Sequence, residues 1–469
     1  MSNYIQYLQQ CQVTKNLSCI KKLHALLLTN GTLFALHDLH TQLIATYTSC
    51  LPNNNNLQTL TNSFFKCINS TNPLHFNLLI SHFCRKGFPF HALASFSFMH
   101  TNGVSLDTYA LCTTLTASSK LKDFNFGKQI HAHVRKSGWF SSVFVGSALI
   151  DYYSKLLNVE DAALVFDEIP DKNTVCANAL LSGYCEAGLW IKGVELVRKM
   201  PLLKLKYDHF TLSAALRACT GLSSVEMGRQ LHSYLLRTMP DIESDVFLQS
   251  ALVEMYGKCG MVEKAQLVFK LDGMEIRNER SRDVVLWTSM LGVYGKNGRY
   301  KEVIDLYSEM LQEGIKPDGI VFLTVISACG HTGQVHAGVK YFESMTNDFK
   351  LNPGPEHYSC LVDLLCRAGE LHKAWELLNE THYNDIGNCS VSMWGALLSA
   401  CVESGNIELA KLAAQRALDL DPQNGGICVM LSNLYAQFGM WDEIGRLRVL
   451  IKQRGLRKDV GCSWLQVKS

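Results

Sequence analysis

No C-x-x-C pair, no H-x-E triplet and no P-C-x-x-C run occurs in this chain of 469 residues. It therefore lacks the zinc ligands and the proton-shuttling glutamate that a nucleobase deaminase needs. A phosphate-cradling G-x-x-x-x-G-K loop, a G-x-S-x-G elbow and an H-E-x-x-H helix are missing too, and the chain reads as a non-enzyme with no cofactor and no metal. There is no apolar run of the roughly 18 residues that a membrane-spanning helix requires. Acidic residues are almost absent from the first 106 positions, where Asp38 stands alone against several Lys and Arg; the N-terminal fifth is basic although the net charge is only +2. The 17 cysteines are odd in number and scattered, and no hydrophobic signal peptide opens the chain, which excludes a secreted disulfide scaffold. Most lie at recurring places in apolar helical text, such as Cys219 in LRACTGL and Cys329 in ISACGHTG, and read as small buried thiols in a reducing compartment.

What the chain does contain is repetition. An apolar content of 47% is ample for a continuous core, and the length suits two to four domains or one long array. VFVGSALIDYY at 143–153 returns as VFLQSALVEMY at 246–256, and the text after both matches as well (LNVEDAALVFDEI, CGMVEKAQLVFKL). Around and between these echoes stand three segments of 35 residues, at 73–107, 174–208 and 284–318. In each, about twelve residues show helical spacing, a glycine follows (Gly87, Gly188, Gly298), and a second amphipathic stretch ends near a methionine. That pattern predicts two helices joined by a tight turn, with glycine where the first must stop. Such a pair cannot bury its apolar face alone, so neighbours must stack. A second unit type, carrying L…AC…G, occupies 108–142, 209–245 and 319–354, and a third occupies 143–173 and 246–283. Irregular stretches are expected at 50–62 and 273–282.

The alternation resembles the pentatricopeptide repeat family, specifically the plant subclass in which P, L and S repeats cycle. The resemblance covers residues 1 to about 390 and rests on the period and on text such as WTSMLGVYGKNGRYKEVIDLYSEMLQEGIKPD. Tetratricopeptide arrays have a similar hairpin but lack the three-way alternation and the terminal KPD. Toward the C-terminus, EHYSCLVDLLCRAGELHKAWELL is similar to a last S repeat, and the text at about 391–424 and 425–459 is similar to the two E motifs of the subclass. The resemblance implies an all-α fold, a right-handed α-solenoid of about twelve hairpins. It also implies degenerate L and S repeats at 1–72, a repeat array at 73–390 and an E region at 391–469. The chain is expected to stop before a DYW deaminase domain.

Family resemblance also implies that the fifth and last residues of the P and S repeats select an RNA base. Here they are Asn77 with Asp107, Asn178 with Asp208 and Thr288 with Asp318, and, in the S repeats, Thr41 with Asn72, Ser147 with Asn173 and Ser250 with Asp283. All are short and polar, which suits reading donor and acceptor edges. Capping alone accounts for the last residue. It accounts poorly for a polar fifth residue, where Ala or Leu would serve a helix better. The L repeats place Cys112, Ser213 and Leu323 there and are expected to be unselective. A cation recurs near the end of the first helix at Arg85, Lys120, Lys155, Lys258, Lys296 and Arg367, interrupted by Glu186. Such a series either answers the helix dipole or tracks phosphates. Leu74, Phe144, Val175, Phe247 and Val285, second in their repeats, can clamp bases between successive repeats, although each taken singly reads as a core residue. His131 and His232 read as helix-packing histidines.

Taken together, these features predict a monomeric site-recognition factor for C-to-U editing of organellar transcripts. It would bind single-stranded RNA, not membrane, and recruit a DYW-type deaminase in trans, with multiple organellar RNA editing factor proteins as further partners. An RNA factor acting by occupancy alone in splicing, stability or translation, and a protein-interaction scaffold, are the other classes. The first 37 residues carry no Asp or Glu, which suits an organellar transit signal, with mitochondrion preferred over chloroplast; they also read as repeat and lack Arg, so the signal overlaps the first repeat or the N-terminus is incomplete.

Overall fold

A computed structural model describes residues 2–30, 39, 42–43, 46–47, 72–239, 245–271, 283–379 and 390–455. The stretches expected to be irregular, 50–62 and 273–282, lie outside the described residues. Among those described there is no strand, only 24 α-helices and one short 3-10 turn, Trp139–Ser141. Taken in order, the helices pair as eleven hairpins inside two units, with His209–Leu222 closing the first unit and Val225–Thr238 opening the second, so the chain is an all-α solenoid of the kind the periodicity predicts. The described residues fall into two compact units, Met1–Ser224 and Val225–Ser469.

Within each unit the first helices of consecutive repeats lie side by side, and each, save His209–Leu222 at the end of the first unit, packs on its own second helix. In the N-terminal unit that row runs Pro73–Arg85, Thr108–Leu121, Val143–Lys155, Thr174–Glu186, His209–Leu222. In the C-terminal unit it runs Val246–Lys258, Val284–Lys296, Gly319–Thr332, Pro355–Arg367, Val391–Ser404 and Gly425–Gln437, so the two last hairpins continue the same stacking. The core is built from the residues whose spacing marks one helix face, among them Phe76, Ile80 and Phe83, or Leu286, Trp287 and Met290. The methionines that close the second helices of the three 35-residue units, Met99, Met200 and Met310, are completely buried. Nine of the thirteen described cysteines are buried as well, and Cys19 is exposed. Burial pushes the Cys329 and Cys401 thiols up to about 11, which keeps them protonated and inert.

Where L meets S, two contacts recur at fixed places. Gly127, Gly228 and Gly338 each lie on the second helix of an L repeat and face Tyr152, Met255 and Leu364 so closely that a Cβ would collide with them. One turn later, His131 Nδ1 meets the Tyr153 hydroxyl at 2.8 Å and His232 Nδ1 meets that of Tyr256 at 2.8 Å. His24 and Tyr47 form the same pair at 3.1 Å. The packing role expected of His131 and His232 is thus correct, with a hydrogen bond added to it.

The turn glycines Gly87, Gly188 and Gly298 have φ of 80°, 70° and 73°, while nothing lies within 4 Å of where their Cβ would stand. Backbone conformation, not space, selects glycine there. The S repeat at 143–173 places Leu157 at φ 57° in the equivalent turn, with its side chain exposed. Leu157→Gly is expected to raise the thermal unfolding midpoint, by roughly 0.5–1 kcal/mol of stability, and Gly188→Ala to lower it by about as much. Circular dichroism melts of the two variants check the opposite signs. Burial, reinforced by Arg135 at His131 and by Lys264 at His232, lowers both histidines below the ordinary 6.5. Because the folded value is the lower one, the unfolded chain takes up the proton first. Stability is full above the ordinary value and falls as pH drops through it. Melts from about pH 7.5 to about 5.5 should show that loss, and the double variant His131→Gln, His232→Gln should flatten it.

Candidate nucleic-acid interface

Each first helix begins with orphan N–H groups, and at most of the described ones the last residue of the preceding repeat supplies the acceptor; Ser142, Gly354 and Ser390 make no side-chain cap. Asn72 Oδ1 accepts from Leu74 N at 3.0 Å, Asp107 Oδ1 from Ala110 N at 2.8 Å and Asn173 Oδ1 from Cys176 N at 2.8 Å. Asp208 Oδ1 accepts from Thr211 N at 2.8 Å, Asp283 Oδ1 from Val285 N at 3.1 Å and Asp318 Oδ1 from Val321 N at 2.9 Å. Capping therefore applies to all six. It uses one acceptor atom of each side chain, and a carboxylate keeps a second oxygen.

That second oxygen reaches the fifth residue of the same repeat in two cases. Asn77 Nδ2 donates to Asp107 Oδ2 at 2.6 Å, and Asn178 Nδ2 donates across both Asp208 oxygens at 3.0 and 3.1 Å. Burial pushes the Asp208 carboxyl up, but hydrogen bonds it accepts, from the Thr211 N–H first and the Asn178 amide, outweigh it and hold the group below its ordinary value. These two rungs are hydrogen-bonded pairs. The hydroxyl-bearing fifth residues behave differently. Thr288, Ser147 and Ser250 turn their Oγ back onto their own helices, to Val284 O at 2.7 Å, Val143 O at 2.7 Å and Phe247 O at 3.0 Å. Thr41 lies outside the described residues. In the L repeats Cys112 Sγ contacts Phe144 O at 3.4 Å, and Ser213 and Leu323 are half-buried.

The second residue of each repeat requires a correction. Read singly, these residues are core; in the structure they are exposed. Phe144 is 76% exposed, Phe247 73%, and Leu74, Val175 and Val285 are exposed as well. Position two falls in the first helical turn, one step off the face that meets the neighbouring helix, so an apolar side chain there points outward. Three more members were missed by the sequence reading. Tyr109, Phe210 and Ile320 are second in the L repeats and are exposed, Phe210 at 70%. The register alone identifies them. The series ends with Ile320; the second places in the next three hairpins hold Glu356, Ser392 and Gly426.

The cations divide. All six are exposed, but Lys155 pairs with Asp151 at 2.6 Å and Arg367 with Asp363 at 2.7 Å, each four residues back on its own helix. Lys120 Nζ donates at 2.9 Å to Cys84 O, at the C-terminal end of the neighbouring first helix, which is the helix-dipole role. Arg85, Lys258 and Lys296 enter no ion pair among the described residues.

Family models match along the chain: PPR repeat at 74–104, 175–204, 250–271, 320–348 and 350–380, PPR repeat family at 282–331, and E motif at 404–466. A mitochondrial pentatricopeptide repeat-containing protein of Arabidopsis thaliana is 33% identical over 81% of this chain and 79% of its own length. The chain belongs to the pentatricopeptide repeat family. A putative pentatricopeptide repeat-containing protein of the same plant is 34% identical over 84% of this chain. The chain spans about half the length of the first curated relatives it matches. Among solved structures, the maize repeat protein PPR10 superposes with a TM-score of 0.61 at 16% identity, covering 97% of this chain and 70% of that one. In complex with an 18-nt psaJ RNA element, PPR10 superposes at 0.66 with 17% identity, covering 90% of this chain and 61% of that one. At that identity the likeness concerns the fold.

The exposure of position two makes a stability prediction. Phe144→Ser and Phe210→Ser are expected to leave the unfolding free energy within about 0.5 kcal/mol of the native chain, whereas Leu216→Ala, in the core of the same unit, is expected to cost about 2–5 kcal/mol. Denaturant titration of the three variants separates the two classes.

Proposed function

We propose that the chain is a sequence-specific single-stranded RNA-binding protein and a site-recognition factor for C-to-U editing of organellar transcripts, acting without catalysis of its own. One observation carries the RNA reading. A hydrogen-bonded polar pair (Asn77 with Asp107, Asn178 with Asp208) falls between two exposed apolar second residues, that of its own repeat (Leu74, Val175) and that of the next (Tyr109, Phe210). Flat or branched apolar side chains sandwich a base through its face, worth about 1–3 kcal/mol per base, while the pair reads its edge. The RNA-bound PPR10 supports the reading by fold. The matched E motif supports editing, because a protein that acts by occupancy alone needs no docking module for a deaminase in trans or for organellar editing factors. For location, one relative is named chloroplastic and two mitochondrial; we place this chain in the mitochondrion.

By the family's code, Asn with Asp favours U, Thr or Ser with Asp favours G, and Thr or Ser with Asn favours A. The pairs from residue 41 to 318 then ask for 5′-A-U-n-A-U-n-G-G-3′, with n opposite an L repeat. Arg85, Lys258 and Lys296, unpaired among the described residues, are the phosphate contacts; Lys120, Lys155 and Arg367 have competing partners on the protein.

Thr288→Asn is expected to move its rung from G towards U, costing about 1–3 kcal/mol on the original RNA. Lys296→Ala is expected to weaken all RNAs about equally and to reduce the salt dependence slightly. Binding to two RNAs that differ only at that rung checks both, and an unchanged affinity ratio for Thr288→Asn sinks the register. A chain ending at Ser390 should keep RNA affinity and fail to restore editing in a knockout. Normal editing by it would remove the docking role of residues 391–469 and leave the occupancy reading.

A further inference from the structure

The two Asn/Asp rungs carry identical residues and are wired differently. The difference lies in the third residue of the following repeat, which is Ala110 after Asp107 and Thr211 after Asp208; both are completely buried. A carboxylate only accepts, so each asparagine must turn its NH2 towards the aspartate and its carbonyl away. At the second rung the Thr211 hydroxyl lies 2.7 Å from Asn178 Oδ1 and 2.9 Å from Asp208 Oδ1. It has one hydrogen. The shorter contact, and the other donors already on Asp208, assign that hydrogen to Asn178. The Thr211 oxygen in turn accepts from Asp208 N at 3.3 Å, which completes a capping box and fixes the hydroxyl. Asn178 is then held at both ends of its amide, and one NH2 hydrogen is left over.

At the first rung Ala110 offers no hydroxyl. Asn77 is held by the single bond to Asp107, and its Oδ1 is buried without a partner. An unpaired buried acceptor is costly. The amide can turn about its one tether, and a donor arriving with a base relieves the oxygen.

We propose that Thr211 is a positioning residue that sets the polarity of the 178/208 rung, making it a donor-only reader, whereas the 77/107 rung offers both a donor and an acceptor. The proposal rests on the reading of bases by these pairs advanced above. Uracil presents a carbonyl at ring position 4, where cytosine presents an amino group. A rung that only donates takes the carbonyl and is opposed by the amino group. A rung with an open oxygen takes either. The 178/208 rung is therefore strict for uridine over cytidine, and the 77/107 rung accepts both pyrimidines.

The test uses the full chain and fluorescence anisotropy on an RNA with the core 5′-AUAAUAGG-3′ flanked by adenosines, with cytidine or guanosine placed at the second or fifth core position. Cytidine at the fifth position is expected to weaken binding on the order of tenfold, and at the second by less than about threefold. Thr211→Val keeps the shape, loses the hydroxyl and should bring the fifth-position penalty down to that of the second, while Thr211→Ser should restore it. Ala110→Ser, which adds a hydroxyl beside Asn77 Oδ1, should raise the second-position penalty. If Thr211→Val leaves the uridine-to-cytidine ratio unchanged while guanosine is still rejected, base reading stands and the role of Thr211 is overturned. If guanosine is rejected at neither position by the native chain, the reading of bases falls first and the proposal with it. If Thr211→Val weakens every RNA alike and lowers the melting temperature, Ala110→Ser decides: a stricter second position supports the proposal, and an unchanged one overturns it.

Discussion

The N–H groups that open a helix have no partner within it, and at most described first helices of this chain they are met from outside, by the side chain that closes the preceding repeat. Asn72, Asp107, Asn173, Asp208, Asp283 and Asp318 all serve in this way. A cap has to be short, polar and held at the mouth of a first helix, so folding alone fixes a hydrogen-bonding group at the same place in repeat after repeat. The fifth residue of the repeat lies within reach of it, as the Asn77–Asp107 and Asn178–Asp208 bonds show. On the proposed reading, stability and recognition draw on the same side chains. A substitution at a repeat end changes both, whereas one at the fifth position leaves the cap in place.

The row of first helices continues through Val391–Ser404 and Gly425–Gln437 without a break in stacking, while the exposed apolar series stops at Ile320. One scaffold therefore carries two kinds of surface. Up to Ile320 the first turn of each described hairpin from residue 73 onward presents an apolar side chain; after it, Glu356, Ser392 and Gly426 hold the same place. Architecture does not mark the change. The residue at a single position does.

Much of this was legible in the sequence, because a hairpin period and a turn glycine are local signals: Gly87, Gly188 and Gly298 lie where the spacing places them. The exposure of Phe144 and Phe247 was not, since an apolar residue in helical text is core by default and only its place in the first turn reverses that. Tyr109, Phe210 and Ile320 went unnoticed for the same reason. The partners of the cations divide along similar lines. Asp151 and Asp363 stand four residues before Lys155 and Arg367 and are visible in the text, whereas the bond from Lys120 to Cys84 O crosses between repeats and is not. The wiring of Thr211 depends on a side chain in the next repeat meeting an amide in the previous one, which no periodicity encodes.

The glycine and histidine at the junctions between L and S repeats have a consequence for how such arrays are rearranged. Gly127 admits Tyr152 and His131 holds Tyr153; Gly228 admits Met255 and His232 holds Tyr256. Each glycine leaves room for the knob it faces, and the P repeats hold His82, Gly183 and Val293 at the knob's place in the register; the phenol's place is less exclusive, since two P repeats carry Tyr184 and Tyr294 there. An L and its following S are matched at that glycine contact. Shuffling, duplication or loss of units should preserve the fold best where the cut spares that seam.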